Sequence, residues 1–243
     1  MATFNIRNMV ALDWKSCWFR RRSSLAAVIR EIEADVWAMQ EAYRPQVRYL
    51  NRRALPGWTV VGNGRNLGGG GEACPIWVGP DCSLVHSTTL WFGDRPEKAG
   101  SKLAGAFFPR MATIAVVDGP DGRVVVANTH LDEKSVERRR ASLVQLLEWL
   151  SDHYSDMSHV VLGDLNATLD SPPAQALLDA GYASALTAED GPTSNGFGDE
   201  DHAKQIDHVF ASTDLRFGEV SIRHDAGLVS DHWPVLADLH KRS

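Results

Sequence analysis

Only three cysteines occur in 243 residues, and Cys17, Cys74 and Cys82 form no Cys-x-x-Cys pair. An odd, unpaired set argues against a disulfide framework or a zinc knuckle and suits a reducing cytoplasm. No run of about 18 uncharged apolar residues is present to span a bilayer. The first residues enter an apolar alternation without the basic segment and apolar core of a secretory signal, so a soluble cytoplasmic protein is expected. Excess positive charge is also missing. The formal net charge is −6, whereas a protein that tracks a long duplex neutralises many phosphates, so weak duplex binding is expected. The local exceptions, Arg20-Arg21-Arg22 and Arg138-Arg139-Arg140, read first as solvated helix ends. There is no Gly-x-Ser-x-Gly elbow, no His-Glu-x-x-His helix and no Gly-x4-Gly-Lys-Ser/Thr loop. The glycines from Gly68 to Gly71 have the wrong spacing for a dinucleotide fingerprint and read as a mobile loop.

What is present is a large apolar share. Hydrophobic residues make up 44 % of the chain, enough to bury a full core as a single domain over residues 1–243. Short β-like runs alternate with helical patterns. Strands are expected at Thr3 to Ile6, Val36 to Met39, Trp58 to Val61, Cys74 to Val78, Ala112 to Val117, Val124 to Asn128, Val160 to Leu162, Ile206 to Ala211 and Val235 to Leu239. Leu25, Val28, Ile29 and Ile32 repeat at helical spacing, as do Leu143, Leu146, Leu147 and Leu150. A third helix is expected from Ser171-Pro172 to Ala180, closed by Gly181. Asn63 to Gly71 and Pro192 to Asp201 are polar and Gly-rich, hence loops of the kind that border sites.

Polar residues with hydrolytic chemistry stand at the ends of these apolar runs. Asn5 closes the first, Gln40-Glu41 the second, and Asn128-Thr129-His130-Leu131-Asp132 follows Val124 to Ala127. Alternation would put Asn128, His130 and Asp132 on one face. Asp164 and Asn166 follow Val160-Val161-Leu162, and Asp207 and Asp231-His232 complete the set. Singly, each is ordinary surface; together they supply carboxylates and amides rather than the clustered His or Cys that zinc prefers. Magnesium or manganese suits such donors. An Asp beside a His fixes the imidazole tautomer and its direction.

In order, Thr-Phe-Asn-Ile-Arg, Gln-Glu, Pro109-Arg110, Asn-Thr-His-Leu-Asp, Gly-Asp-Leu-Asn-Ala, Gln-Ile-Asp-His and Ser-Asp-His-Trp-Pro resemble the endonuclease/exonuclease/phosphatase superfamily across residues 3–239. The resemblance implies a DNase I-like, four-layer α/β sandwich of two mixed sheets packed face to face with helices outside. It implies a Mg2+ or Mn2+ site at Glu41, with Asn5 and Asp231 as neighbouring ligands or supports. Asp164 matches the residue that orients or deprotonates water, and Asn166 the amide beside the phosphate. Asp207 and His232 match an aspartate–histidine dyad, and His130 a second phosphate-contacting histidine. Arg110 matches a substrate-binding arginine, with Asn128 a further substrate contact. Departures occur at Gln205, where a basic residue is common in this branch, and within Thr193 to Phe197. The expected activity is metal-dependent hydrolysis of a compact phosphoester or a short nucleic-acid end, by a phosphodiesterase or phosphatase. The alternatives are an endo- or exonuclease acting on DNA or RNA and a catalytically inactive binding protein on the same fold. Oligomeric state is not legible.

Overall fold

The computed structural model describes residues 1–199, 201 and 203–242; Glu200, inside the expected Pro192 to Asp201 loop, lies outside the described residues. Each buried strand has to satisfy two different neighbours, and alternation does this. In β2 (Val36–Gln40), Trp37 and Met39 face Leu25 and Ile29 of α1 (Trp18–Glu31) and Leu50 of α2 (Arg44–Arg53). Val36 and Ala38 instead join Ala115, Val126, Val160 and Val209 of the second sheet. On the opposite side of that sheet, Val125 of β7 (Gly122–His130) and Val161 of β8 (Ser158–Asp164) pack on α3 (Val136–Tyr154) through Leu143, Leu146 and Leu150. Leu177 of α4 (Pro172–Asp179) joins the same cluster. Three apolar interfaces thus stack four layers, helix on sheet on sheet on helix, the expected DNase I-like α/β architecture.

The first sheet runs β11 (Leu215–Ile222), β12 (Val235–Lys241), β1 (Ala2–Asn5), β2, β4 (Ile76–Val78), β3 (Thr59–Val61). The second runs β5 (Ser83–Trp91), β6 (Met111–Gly119), β7, β8, β10 (Asp207–Ala211), β9 (Ala183–Ser184). β1 and β2 are parallel, with Asn5 opposite Gln40; β7 and β8 are parallel, with His130 opposite Asp164. β10 runs antiparallel to β8 and sets Asp207 opposite Asp164. β12 runs antiparallel to β1, so the segment before it arrives at that same end.

Four elements escape the hydropathy pattern. β5 and β11 lie at sheet edges, where one side of the strand meets solvent and the apolar signal is diluted. β9 has only two residues. α2 buries only Gln46 and Leu50 and opens Arg-Pro, which is tolerated because a first-turn N–H has no helical partner.

Both arginine triplets differ from the expected solvated ends. Arg21 is buried and donates to the carbonyls of Ile6 (2.7 Å), Arg7 (2.6 Å), Ser16 (3.0 Å) and Val229 (3.1 Å). Arg139 is buried and donates to the Asp132 carbonyl at 2.9 Å. The Gly68 to Gly71 stretch closes a hydrogen-bonded loop in which Gly64 N–H donates to Gly69 O and Asn66 N–H to Gly70 O. A Cβ at Gly64 would meet Gly70 O at 2.2 Å, so this close approach requires glycine. No helix among the described residues is long and apolar enough to cross a membrane.

Candidate active site

Strand alternation carries one inward row per strand toward a shared end, and there the row changes from apolar to polar. Asn5, Gln40, Asn128, Asp164 and Asp207 are all at least 98 % buried, so each needs its partners from protein groups. The Asn5 amide supplies the central link: Nδ2 donates to Glu41 Oε1 (3.1 Å) in its own sheet and to Asp164 Oδ2 (2.9 Å) in the other. Asn5 Oδ1 accepts from Arg7 N–H at 3.0 Å. Glu41 sits just beyond β2 at φ 61°, a left-handed turn that takes it off the strand. Its second oxygen accepts from Asn8 through the backbone N–H (2.9 Å) and the side-chain amide (2.7 Å). Asp164 Oδ1 accepts from Asn166 N–H at 2.9 Å, with Asn166 also left-handed at φ 49° and its amide donating to Leu131 O. A Cβ at Gly163 would meet Thr129 O at 2.0 Å, so glycine lets β8 close on β7 immediately before Asp164.

Two imidazoles flank this carboxylate. His130 Nε2 lies 3.5 Å from Asp164 Oδ2, and His232 Nε2 lies 3.8 Å from it. His232 Nδ1 is 2.7 Å from Asp207 Oδ2, which also accepts from Thr193 Oγ1 at 2.7 Å. That pairing fixes Nδ1 as the donor toward Asp207 and aims Nε2 at Asp164. Their charge states diverge. Burial works to lower the His232 imidazole, but the Asp207 charge and hydrogen bond, with Asp164 and Asp231 behind, push it up to about 10. Burial, reinforced by Arg110, brings His130 down to about 4 against the pull of Asp164 and Glu41. Burial also works to raise the Glu41 carboxyl, yet His130, Asn8, Arg7 and the Asn5 amide hold it at about 2. At neutral pH this places an ionised Glu41, a cationic His232 and a neutral His130 around Asp164.

Asp231 lies at the same end with Oδ2 3.2 Å from Arg7 Nη1, and burial raises its carboxyl above the ordinary range. Arg110 is buried beside His130 and pairs with Glu133, leaving its Nε without a partner. Asn128 requires a correction. It is fully buried, accepts from Gln40 Nε2 at 2.7 Å and donates to the Met39 and Pro75 carbonyls, both at 2.9 Å. Its amide therefore clamps the sheets together and presents nothing to substrate. Asp132 also leaves the expected shared face, because the strand ends at His130; its carboxylate instead takes the Lys134 and Ser135 N–H groups and Arg138. Sequence reasoning missed Asn8 and Arg7 as holders of Glu41 and Asp231. Their nearness to Asn5 was the available signal. Oxygen or nitrogen atoms of Asp164, Asp207 and His232 lie within 4.8 Å of one another, a grouping able to hold a metal ion.

A helix-flanked double sheet with carboxylates, amides and two unlike imidazoles between its layers defines a DNase I-like protein with a polar centre. The chain belongs to the Endonuclease/Exonuclease/phosphatase family, which its sequence matches over residues 2–232. It is similar to an endonuclease/exonuclease/phosphatase protein from Bacteroides vulgatus, with 26 % identity, TM-score 0.89, and coverage of 99 % of this chain and 98 % of that one. A mannosyl-6-phosphatase from Bacteroides thetaiotaomicron shares 23 % identity at TM-score 0.87, covering 98 % of each chain. The TDP2 protein of D. rerio, in complex with a single-strand DNA product, shares 16 % identity at TM-score 0.76, covering 99 % of this chain and 98 % of that one. No curated protein matches the sequence.

Proposed function

We propose that the chain, acting as a single domain in the cytoplasm, is a divalent-metal-dependent hydrolase of phosphoester bonds whose substrate is a compact phosphoester or a short nucleic-acid end. The observation that carries the reading is the Asn5 amide joining Glu41 to Asp164, with a cationic and a neutral histidine beside that second carboxylate. Membership of the family supports it. A net charge of −6 favours a small substrate over a long duplex.

The donor set suits a hard divalent ion. Glu41 is an ionised carboxylate with Asp231 nearby, and no cysteine joins either of them. Glu41 would hold Mg2+ or Mn2+, supported by Asp231, and the bound ion would neutralise charge developing on the phosphoryl oxygens. Asn5 is better placed to position Glu41 and Asp164 than to act as a ligand, because its Nδ2 serves both and its Oδ1 already takes Arg7 N–H. Within the Asp164, Asp207 and His232 group, Asp207 gives its Oδ2 to Thr193 and His232, which suits a proton-holding dyad.

Asp164, oriented by Asn5 and Asn166, accepts the proton of the attacking water. His232, braced by Asp207 with Nε2 directed toward Asp164 and its imidazole pushed up by the Asp207 charge, donates from Nε2 to a phosphoryl oxygen. Neutral His130 offers a further contact to phosphate, and Asn166 has a second amide hydrogen beyond the one given to Leu131. Arg110 exchanges Glu133 for substrate phosphate, a task that its planar donors suit. Purified protein assayed on nucleotides, sugar phosphates, phospholipid headgroups and DNA should turn over substrate with Mg2+ or Mn2+, with zinc not the best activator, and stop with chelator. Full turnover in metal-free buffer overturns the reading.

A further inference from the structure

Large apolar side chains left in solvent are gathered at one end of this molecule. Val10 (60 %), Leu12 (100 %), Trp14 (84 %) and Phe19 (64 %) are exposed in the segment that leaves β1 just beyond Asn5. Phe107 and Phe108 are exposed in the loop that enters β6, whose first residues pair with the end of β7. Leu67 and Leu228 lie in the loops entering β4 and β12, and Val136 begins α3 just past the turn that leaves β7; these segments open at the same end by strand register. Among the described residues, Val85 on the edge strand β5 is the one exposed large hydrophobic found elsewhere. Single exposed apolar residues need no explanation, but a rim of them around a catalytic centre does.

The β1–α1 segment is held in place. Arg7 clasps Asp13 through two hydrogen bonds, at 3.0 and 2.9 Å, so the chain between them forms a closed loop with Val10 and Leu12 at its tip. Met9 N–H is fixed to Gln46, and Val10 N–H to Asn8. Trp14 follows at φ 43°, a left-handed conformation that a bulky residue adopts only where its surroundings impose it. Cations are interleaved with this apolar set. Lys15 and Arg20 are exposed, Arg22 lies 5.3 Å from the Phe19 ring centre, and Lys134 lies 6.0 Å from that of Phe107. These four cations stand beside the apolar tips although the whole chain carries −6. Apolar tips from several loops, with Lys and Arg between them and Trp and Phe among them, match the headgroup layer of an anionic bilayer.

We propose that the end of the sandwich bearing the catalytic residues docks onto an anionic lipid surface, with the Val10 to Arg22 segment seated among the headgroups. The proposal builds on the hydrolase reading only in that docking brings headgroup phosphoesters to Asp164 and His130. Full-length protein is sedimented with vesicles of phosphatidylcholine alone and of phosphatidylcholine with one-third phosphatidylglycerol. Binding should require the anionic lipid, fall by roughly tenfold or more in the Leu12→Ser, Trp14→Ser double variant, and fall several-fold in Lys15→Glu, Arg20→Glu or in high salt. Asp164→Asn should bind as the unmodified chain does; docking of the unmodified chain with no hydrolysis would sink the enzymatic reading while leaving this one intact. Absence of binding, equal binding to both vesicles, or binding indifferent to the loop variants overturns docking. So does a concentration-dependent dimer that the double variant dissolves and vesicles do not displace, which would make a second copy the occupant.

Discussion

Between the two sheets, one half of the interior is apolar and the other polar, although the same strands build both. Inward positions along β8 run Val160, Leu162, Asp164; along β2 they run Val36, Ala38, Gln40; along β7 they run Val126, Asn128, His130. β10 runs the opposite way and reads Asp207, Val209, Ala211. In the apolar half, removing area from water supplies cohesion without demanding direction. In the polar half each atom needs a partner at a set angle, so position is specified there at a cost in stability. The contrast teaches that the site is a continuation of the core, held by the same pleat.

The sharpest way to break the comparison is Asp164→Asn. If the polar half exists for chemistry, turnover should fall by roughly two orders of magnitude or more while circular dichroism and the melting curve stay near those of the unmodified chain. Turnover close to normal would remove Asp164 from the reaction. In the apolar half, Ile76→Ala should do the reverse: a loss of about 2–5 kcal/mol in urea unfolding, from the missing contacts and the cavity left behind, with turnover per folded molecule unchanged. A matching loss of turnover would show that the halves are coupled. Asn128→Leu tests the boundary between them. It takes from Gln40 an acceptor and from the Met39 carbonyl a donor, and should cost about 1–3 kcal/mol; unaltered stability would mean that the clamp contributes nothing.

The smallest effect concerns pH and lies outside the interior. Burial works to raise Asp132, but Arg138 and the Lys134 and Ser135 N–H groups hold it down at about 2. Because the folded value lies below the unfolded one, its contribution is full above about pH 4 and is lost as pH falls toward 2. The difference in melting temperature between the unmodified chain and Asp132→Asn should therefore shrink over that descent. A constant difference would locate the effect in packing.

Much of this was legible because strand and site share one pattern. Val160-Val161-Leu162 before Asp164 shows both the buried strand and the side on which the carboxylate emerges. Asn128 was misread because alternation reports which face a residue occupies and not whether that face has reached solvent. One residue pair further along, at His130, the same face is at the site. The arginine triplets misled for a geometric reason: successive helical residues turn by 100°, so three in a row cannot all face water on a helix packed to a sheet. Arg21 and Arg139 each fall on the inward side and bind carbonyls. The contacts of Asn8 with Glu41 and of Arg7 with Asp231 depend on how the chain turns after β1, which hydropathy does not encode.

The pairing of β1 with β12 has a consequence for the birth of the protein. Ala2 lies opposite Leu236, and the Met1 amino group donates to Ala237 O, so during synthesis β1 waits for β12, the last described strand. At 5–20 residues per second, roughly 10–50 s separate their synthesis. During that interval β1 lacks one neighbour, and Asp207 lacks His232. A nascent chain can assemble the second sheet early, since β5 to β8 follow one another in order, yet the polar centre between the sheets is incomplete until synthesis has passed His232. Any premature stop before that point leaves β1 with one open edge, a species marked for aggregation or proteolysis.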